Sequence, residues 1–459
     1  MFEKEVYVSR RNRLKKDVGT GVMLFLGNDE LSTNYAANTF TYRQDSTFLY
    51  FFGQAYSGLA AIIDADEDRE IIFGDELTID DIVWMGNQPT LHEKSARAGI
   101  TETRPSAALA DYLAAAVAKG RKVHYLPPYR PEHNLKLMSL LGIPVAKQAE
   151  GVSIDFVKAV IAQRNYKSDI EVAEIEKACN VTADMHIEAM RVLRPGMRES
   201  DVAAALESVA FREGYGLSFA TIATINGQTL HNHSHANTVR EGDLFLIDAG
   251  AETPMGYAGD MSSTVCVSKR FTKKQKDVYD IQNAMHLESV KALRPGVTFE
   301  SVYDLSARVM VEGLKSLGLM RGDAADAVRE GAHALFYPHG LGHMMGLDVH
   351  DMENFGESLV GYAGREKSKQ FGRNSLRLAR ELEVGFVHTI EPGIYFIPEL
   401  IDLWRKDSKF SDFINYDKVE DYRHFGGIRN EEDYLIIPGG ARRLGKRIPL
   451  TTDEVEALR

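Results

Sequence analysis

Alternating runs of apolar and polar residues in the first part of the chain predict a small α/β domain. Short apolar runs typical of strands occupy residues 21–26, 59–63, 69–73 and 122–126. Charged or alanine-rich stretches such as residues 106–118 separate them and have the spacing of helices. We therefore expect an amino-terminal α/β domain over residues 1–163 and a second domain over residues 164–459.

The second part of the chain contains an internal repeat. Residues 186–196 and 286–296 share His, Glu, Leu, Arg, Pro and Gly at equivalent positions. Each segment ends a predicted helix that begins with a capping box, formed by Ser168 with Glu171 and by Thr272 with Gln275. Two copies are too few for a solenoid. The repeat predicts an α+β domain made of two pseudo-symmetric halves, with a site where the halves meet.

Composition narrows the classes of function. A length of 459 residues favours two domains over a single core, and the net charge of −12 argues against a general nucleic-acid binder. The charged amino terminus does not resemble a secretory signal, and no apolar stretch reaches about 18 residues. The only cysteines, Cys179 and Cys266, do not make a disulfide framework. We expect a cytoplasmic protein that binds neither nucleic acid nor a membrane.

Two aspartates in the second domain follow or precede strand-like runs. Asp248 ends the apolar run 244–248, and Asp260 precedes a second run at residues 264–267, after a turn near residues 254–256. A hairpin would bring both carboxyl groups to one end of adjacent strands. Taken alone, two aspartates beside a turn are more often solvated turn residues. Only the other motifs of the chain make a functional site the better interpretation of this pair.

Residues 338–351 contain three histidines in an apolar, glycine-rich setting. These are His339, His343 and His350. Glycines allow close approach of the backbone, and a neutral imidazole is both a common metal ligand and a proton carrier. One histidine there would be typical of a protein core, whereas three favour a functional site.

Two glutamates lie at or near predicted strand ends. Glu391 ends the apolar strand 387–391, and residues 426–431 predict a strand with Arg429 and Glu431 on one face. A buried glutamate needs a cation as partner. We expect Arg429 to hold Glu431 in place.

Taken together, these side chains form the ligand inventory of a pair of divalent metal ions. Carboxylates can bridge two ions and neutralise most of their charge. Oxygen-rich ligation favours Mn²⁺. The five candidate ligands are Asp248, Asp260, His343, Glu391 and Glu431.

With these residues, the chain resembles the pita-bread peptidases, in particular the proline-directed branch that contains aminopeptidase P and prolidase. Residues 42–53 resemble that family's amino-terminal signature, and residues 164–168 resemble the start of its catalytic half. The resemblance covers almost the whole length. It implies an α/β amino-terminal domain followed by an α+β pita-bread catalytic domain with an internal pseudo-twofold repeat.

The resemblance also implies an activity and residue roles. The activity is hydrolysis of the Xaa-Pro bond at peptide amino termini by a hydroxide bridging two Mn²⁺ ions, in a homodimer or larger homo-oligomer. Glu391 would be the proton acceptor besides a metal ligand, and His231 and His350 would face the substrate. His339 would line the same pocket, and Trp84 would reach the site of a neighbouring subunit or pack as a surface aromatic.

Two alternatives to an aminopeptidase are open. The chain between His350 and Glu391 is longer than in compact bacterial aminopeptidase P, which favours an Xaa-Pro dipeptidase (prolidase). A non-catalytic binding protein of the same fold is a remote alternative. The cluster 231–235 imitates a zinc site, but the resemblance gives a role to His231 alone, and we expect the other two histidines to be solvated. Neither a His-Glu-x-x-His nor a Gly-x-Ser-x-Gly motif is present.

Overall fold

The structure is a computed structural model that describes all residues, 1–459. The chain divides into two compact units, residues 1–164 with 352–356 and residues 165–351 with 357–459. None of its helices combines the length and apolar character needed to cross a membrane.

The first unit is built on a five-stranded mixed sheet with strand order β6-β5-β4-β1-β7. Its strands, with a separate hairpin of β2 and β3, are β1 (Val22–Leu26), β2 (Ser32–Tyr35), β3 (Asn38–Thr39), β4 (Ala60–Asp64), β5 (Arg69–Phe73), β6 (Glu102–Arg104) and β7 (Val123–His124). The pair β1–β4 is antiparallel, and the edge pairs β1–β7 and β5–β6 are parallel. The four apolar runs predicted as strands are confirmed, since they overlap β1, β4, β5 and β7. Their side chains contribute to the buried core of this unit.

Helices surround that sheet. They are α1 (Lys4–Val18), α2 (Ser46–Phe52), α3 (Ile79–Met85), α4 (Leu91–Ala96), α5 (Ala108–Ala118), α6 (Pro131–Leu141), α7 (Val145–Gln148) and α8 (Ile154–Arg164). Most bury an apolar face, but α3 buries none of its residues. A capping box between Thr78 and Asp81 nevertheless fixes its start.

The second unit contains two helix pairs, α9 with α10 and α11 with α12, one pair from each copy of the repeat. Its helices are α9 (Asp169–Val192), α10 (Glu199–Arg212), α11 (Lys273–Ala292), α12 (Phe299–Ser316), α13 (Ala324–Glu330), α14 (Glu357–Val360), α15 (Pro398–Lys406), α16 (Tyr416–Glu420) and α17 (Thr452–Leu458). Both predicted capping boxes are present. The first helix of each pair ends just before its Leu-Arg-Pro-Gly segment, because proline cannot continue a helix.

The strands of the second unit form small antiparallel sheets. They are β8 (Gly216–Leu217), β9 (Ile222–Thr224), β10 (Leu244–Ala249), β11 (Ala251–Glu252), β12 (Met261–Cys266), β13 (Val387–Ile390), β14 (Gly393–Tyr395), β15 (Gly427–Arg429), β16 (Glu432–Ile437) and β17 (Gly440–Arg443). One sheet has the order β12-β10-β9 and another the order β13-β16-β17. Two further pairs are β11–β8 and β14–β15.

The internal repeat is visible in the backbone hydrogen bonds. Gly196 N donates to Val239 O (2.8 Å), and Gly296 N donates to Leu382 O (2.9 Å). In return, Val239 N donates to Met197 O and Leu382 N to Val297 O, both at 2.8 Å. In each copy the same pair of hydrogen bonds therefore fixes the segment that leads into a strand, β10 in the first copy and β13 in the second.

The single strand predicted over residues 426–431 is wrong. The chain forms two strands there, since β15 pairs with β14 and β16 pairs with β13. Between them, Glu431 N donates to Ser262 O (2.9 Å). The backbone changes partners at Asn430 and Glu431, so the alternation of faces does not run continuously from Arg429 to Glu432.

Candidate active site

The second unit contains a cleft with a volume of about 570 Å³. Every site residue predicted from the sequence except Trp84 lines this cleft. Trp84 lies on α3 of the first unit. The predicted residues along its walls are His231, Asp248, Asp260, His339, His343, His350, Glu391, Arg429 and Glu431.

The two aspartates meet because β10 and β12 are antiparallel neighbours. Asp248 lies opposite Ser262, and Asp260 is the residue just before β12. The link between the strands folds back closely, since a Cβ atom on Gly250 would lie 1.9 Å from Gly259 O. The hairpin expected from the sequence therefore places both carboxyl groups at one end of the strand pair.

The glycine-rich segment runs alongside β13 and brings His343 to Glu391. Thr389 N donates to His343 O (3.0 Å), and Glu391 N donates to Leu341 O (2.8 Å). A Cβ atom on Gly342 would lie 2.2 Å from Thr389 O, so only glycine permits this approach.

The ring of His343 has an assignable tautomer. Its Nδ1 lies 3.1 Å from Met344 O, a carbonyl that can only accept, so Nδ1 carries the hydrogen. The other nitrogen, Nε2, then carries the lone pair, and it faces Asp260 Oδ2 at 3.3 Å and Glu391 Oε1 at 3.7 Å. Three acceptor atoms that face one another are the arrangement that a cation stabilises.

A group of three buried residues has the geometry of a metal site. Ligand atoms of Asp260, His343 and Glu431 all lie within 4.8 Å of one another. The Oδ1 atom of Asp260 is buried and makes no hydrogen bond. Burial, reinforced by the neighbouring carboxylates, raises the pKa of Asp260 and of Glu431 well above the usual range. A divalent cation fits this donor set, because it would compensate charges that the protein alone leaves uncompensated.

Arg429 supports the acidic cluster differently from the sequence-based expectation. Its Nη2 donates to Asp248 Oδ2 (2.5 Å), and its Nε donates to Ser262 Oγ (3.0 Å). The Ser262 hydroxyl donates to Glu431 Oε2 (2.7 Å). Arg429 therefore contacts Asp248 directly and reaches Glu431 only through Ser262.

His339 is held in the neutral form. Its Nδ1 donates to Gly340 O (2.7 Å), and its Nε2 accepts from the Tyr395 hydroxyl (2.9 Å). Burial, together with the nearby charge of Arg429, lowers the pKa of His339 to about 3. Because both ring nitrogens are hydrogen-bonded within the protein, His339 contributes the face or edge of its ring to the cleft wall and has no free nitrogen for proton transfer.

The remaining histidines face the open part of the cleft. The ring of His350 packs edge-on against that of His343, with the centroids 4.2 Å apart. Burial lowers the pKa of His231, and the charge of Arg429 lowers it further. His233 is exposed, as expected from the sequence, but it also lines the cleft.

Several polar residues of the site had no clear signal in the sequence. Ser262 lies in a strand, where a serine usually has no functional role. Tyr395 lies shortly after a Pro-Gly turn. The segment after His350 adds Glu357, Lys367 and Arg377 to the cleft wall. The only hint of that contribution was the length of the insert.

Comparison with known proteins agrees with this geometry. The sequence model described as "Metallopeptidase family M24" matches residues 173–438, and that of "Aminopeptidase P, N-terminal domain" matches residues 7–125. The chain is 28% identical to the Xaa-Pro dipeptidase of Rattus norvegicus, over 97% of this chain and 90% of that protein. It is 29% identical to the Xaa-Pro aminopeptidase of Escherichia coli (strain K12), over 100% and 98% of the two chains.

A solved structure is similar over the full length. A glutamate-to-alanine variant of Escherichia coli aminopeptidase P in complex with substrate superposes with a TM-score of 0.82, at 28% identity, and covers 100% of this chain and 98% of that one. The resemblance and the fold class predicted from the sequence are confirmed. The model of metallopeptidase family M24 matches more than half of this chain, and the chain therefore belongs to that family.

Proposed function

We propose that this metallopeptidase is an Xaa-Pro aminopeptidase, which hydrolyses the bond before a proline in the second position of a peptide. The observation that carries the proposal is the convergence of four carboxylates and one imidazole on a single cleft. Full-length similarity to a protein named Xaa-Pro aminopeptidase supports the choice of substrate.

Five residues would hold two divalent ions, and the oxygen-rich donor set favours Mn²⁺. They are Asp248, Asp260, His343, Glu391 and Glu431. When bound, the ions would polarise the scissile carbonyl and lower the pKa of a water molecule to near neutral.

The protein's own side chains would transfer the proton, bind the oxyanion and position the substrate. Glu391 is the proton acceptor in this proposal, because its carboxyl group is partly open to the cleft and its pKa is raised by burial. It would return the proton to the proline nitrogen as the bond breaks. His350 would donate a hydrogen bond to the developing oxyanion, and His231 would position the substrate.

The cleft also contains a wall suited to proline. Phe219, Ile222 and Leu230 line it beside the acidic cluster. The nitrogen of the scissile Xaa-Pro bond carries no hydrogen, so it needs no acceptor, and the apolar wall would bury the pyrrolidine ring.

The purified protein tests this proposal directly. We expect bound metal, and cleavage of a peptide that begins Ala-Pro but not of the matched peptide that begins Ala-Ala. A chelator should abolish the cleavage, and added Mn²⁺ should restore it. A metal-loaded protein that cleaves no Xaa-Pro peptide of any length would contradict the proposal.

One observation favours the alternative function, an Xaa-Pro dipeptidase. Lys367 and Arg377 line the cleft, and both pair with Glu357, at 3.3 Å in the case of Arg377. The charge of Arg377 also offsets part of the rise that burial causes in the pKa of Glu391, and it adds to the effect of burial in lowering the pKa of His231. A cation so near the acidic cluster would suit the free carboxylate of a dipeptide.

The substitution Arg377→Gln separates the two functions. A dipeptidase should show a KM for Ala-Pro that rises about tenfold, because a charge-assisted contact with the substrate is lost. An aminopeptidase should cleave longer Ala-Pro peptides in preference to the dipeptide, with KM unchanged by the substitution. Arg365→Gln is the matched control, since Arg365 lies in the same insert and pairs with Glu300.

We further propose that the protein forms a homodimer or a larger homo-oligomer in the cytoplasm, with Trp84 at the contact between subunits. The exposed apolar residues of α3 support this proposal.

A further inference from the structure

The loop between β9 and β10 presents two histidines to the cleft. His231 and His233 both line the cleft, and Asn232 lies between them. In a mobile loop the orientation of these rings would vary. A part of the fold outside the loop must therefore hold it in this conformation.

The carboxylate of Glu199, in the first turn of α10, is buried against the two ends of this loop. Its Oε1 accepts from Thr224 Oγ1 (2.9 Å) and from Ile225 N (2.8 Å), at the start of the loop. Its Oε2 accepts from Asn237 N (3.0 Å) and Asn237 Nδ2 (2.9 Å), near the end. One fully buried side chain therefore joins residues that are far apart along the loop.

A hydrogen-bond relay extends from Glu199 to the histidines. The Thr224 hydroxyl, which donates to Glu199, accepts from Asn232 Nδ2 (3.0 Å). Asn232 Oδ1 in turn accepts from Ser234 N (3.1 Å). The side chain of Asn232 is thus turned toward the body of the unit, while the side chains on either side of it face the cleft.

The internal repeat shows that the backbone does not require this carboxylate. Glu199 N donates to Asn237 O (3.0 Å), and at the equivalent position of the second copy Phe299 N donates to Arg380 O (2.9 Å). Phe299 is also fully buried, and it packs against the ring of His388. An apolar side chain is therefore sufficient for the helix start and for the backbone pairing. The carboxylate in the first copy has a different role.

We propose that Glu199 is a positioning residue for the peptidase reaction: through Thr224 and Asn232 it holds the loop 225–237 so that His231 faces the substrate. The proposal rests on the proposed function, because the role of His231 does. It adds a residue that touches neither the substrate nor the metal ligands.

The substitution Glu199→Gln tests it while keeping the size of the side chain. An amide has one accepting oxygen, so its NH₂ group would face two donors of the loop. We expect KM for an Ala-Pro peptide to rise about tenfold with a much smaller change in kcat, since substrate positioning is lost. The Kd for Mn²⁺ should stay within about twofold, because no metal ligand lies on the loop.

Asp201→Asn is the matched control. Asp201 lies in the same first turn of α10 and is exposed, and its carboxylate accepts from Arg198 N (2.8 Å), within the helix start. It should leave KM and kcat unchanged. A KM no higher in the Glu199 variant than in this control would overturn the proposal, as would a parallel loss of Mn²⁺ binding and kcat.

Amide hydrogen exchange gives a readout that is independent of activity. Residues 225–237 should exchange about tenfold faster in the Glu199 variant than in the Asp201 variant, with the rest of the unit unchanged. This comparison decides the proposal even if no Xaa-Pro peptide is cleaved, a result that would count against the proposed function alone. Should the Glu199 variant fail to fold, Asn232→Ala breaks the relay at a half-buried side chain and leaves the buried carboxylate in place. Wild-type exchange and KM in that variant would overturn the proposal.

Discussion

The carboxyl group of Asp260 is buried with one oxygen outside any hydrogen bond, and the carboxyl groups of Asp248, Glu391 and Asp433 surround it. The charge of Arg429 lowers the pKa of Asp260, but its effect is smaller than that of burial and of each of these acids. At the scale of single residues, the cluster is therefore an arrangement of acids that needs more positive charge than the protein supplies. Divalent ions would provide it.

Replacing Asp260 by Asn keeps the size of the side chain and removes one negative charge. We expect kcat/KM for an Ala-Pro peptide to fall on the order of a thousandfold, because a metal ligand is lost. Titration calorimetry should show weaker Mn²⁺ binding. Asp280→Asn, at an exposed position of α11, should change neither. Full activity of the Asp260 variant would mean that the proposed mechanism is wrong.

A second residue-scale prediction concerns stability against pH. His333 is buried, with Nε2 accepting from the Tyr303 hydroxyl (2.8 Å), and burial lowers its pKa to about 4. In the unfolded chain a histidine takes up a proton near pH 6.5. Between these values only the unfolded state is protonated, so the contribution of His333 is fully present above pH 6.5 and is lost as the pH falls toward 4.

Urea unfolding at pH 7 and at pH 5 measures this effect. The free energy of unfolding should drop by about 2 kcal/mol more in the wild type than in His333→Gln, which cannot take up a proton. The comparison of the two proteins removes the contribution of every other titrating group. Equal drops in both proteins would show that His333 is protonated equally in the folded and unfolded states.

The sequence was most informative about residues whose side chains follow directly from a local pattern. Asp248 lies next to the last residue of β10 and Glu391 directly follows β13, and such a position beside an apolar strand is visible in the sequence without any tertiary contact. Ser262, Tyr395 and Glu199 could not be found in this way. Their importance comes from partners more than twenty residues away, such as Glu431 for Ser262, and no local periodicity encodes such a contact.

At the scale of elements, the meeting of β10 and β12 depends on two glycines. A Cβ atom on Gly250 would lie 1.9 Å from Gly259 O. A Cβ atom on Gly259 would lie 2.7 Å from Thr182 Oγ1 and 2.9 Å from backbone atoms of α9. Asp248 precedes this crossing and Asp260 follows it, so the distance between the two carboxyl groups depends on the crossing.

The substitution Gly250→Ala tests that dependence. We expect a loss of about 2–3 kcal/mol in the free energy of unfolding, since backbone atoms must move apart to admit the methyl group. Mn²⁺ affinity should fall as well, because the two aspartates separate. Gly216→Ala is the control, since its Cβ would meet only Glu252 Cβ, at 4.0 Å. Unchanged Mn²⁺ binding in the Gly250 variant would show that the crossing does not set the ligand geometry.

The elements also mark where the sequence-based prediction failed. Helices with capping boxes and proline stops were predicted well, because those signals are local. The run 426–431 reads as one strand, yet the backbone leaves β14 and joins β13 within it. A change of strand partner is a property of the sheets and leaves no mark on the alternation of residues. The sequence therefore did not reveal that Arg429 contacts Asp248 directly and reaches Glu431 through Ser262.

At the scale of the whole molecule, the repeat explains why ligands come from distant parts of the chain. Val239 and Leu382 are pinned in the same way, and Asp248 and Glu391 lie equally far beyond them, Asp248 next to the last residue of β10 and Glu391 directly after β13. The two halves therefore supply equivalent acids from equivalent strands. The loops that lead into these strands carry His231 in one half and Arg377 in the other, and both line the cleft.

The remaining prediction concerns the surface of the first unit. Four apolar residues of α3 are exposed: Ile79, Val83, Trp84 and Met85, with Trp84 at 85%. Leaving so much contiguous apolar surface in water is unfavourable, and a second copy of the chain is the partner that we propose. Sedimentation should give a mass that is a multiple of 51.2 kDa.

Trp84→Glu should shift that mass toward the monomer, because a charge would have to be buried in an apolar contact. Phe211→Ala removes another exposed aromatic side chain, from α10, and should leave the mass unchanged. A wild-type monomer would rule out the homo-oligomer, and an oligomer insensitive to Trp84→Glu would place the contact elsewhere. If association is needed for activity, kcat/KM of the Trp84 variant should recover at high protein concentration, since mass action restores the contact.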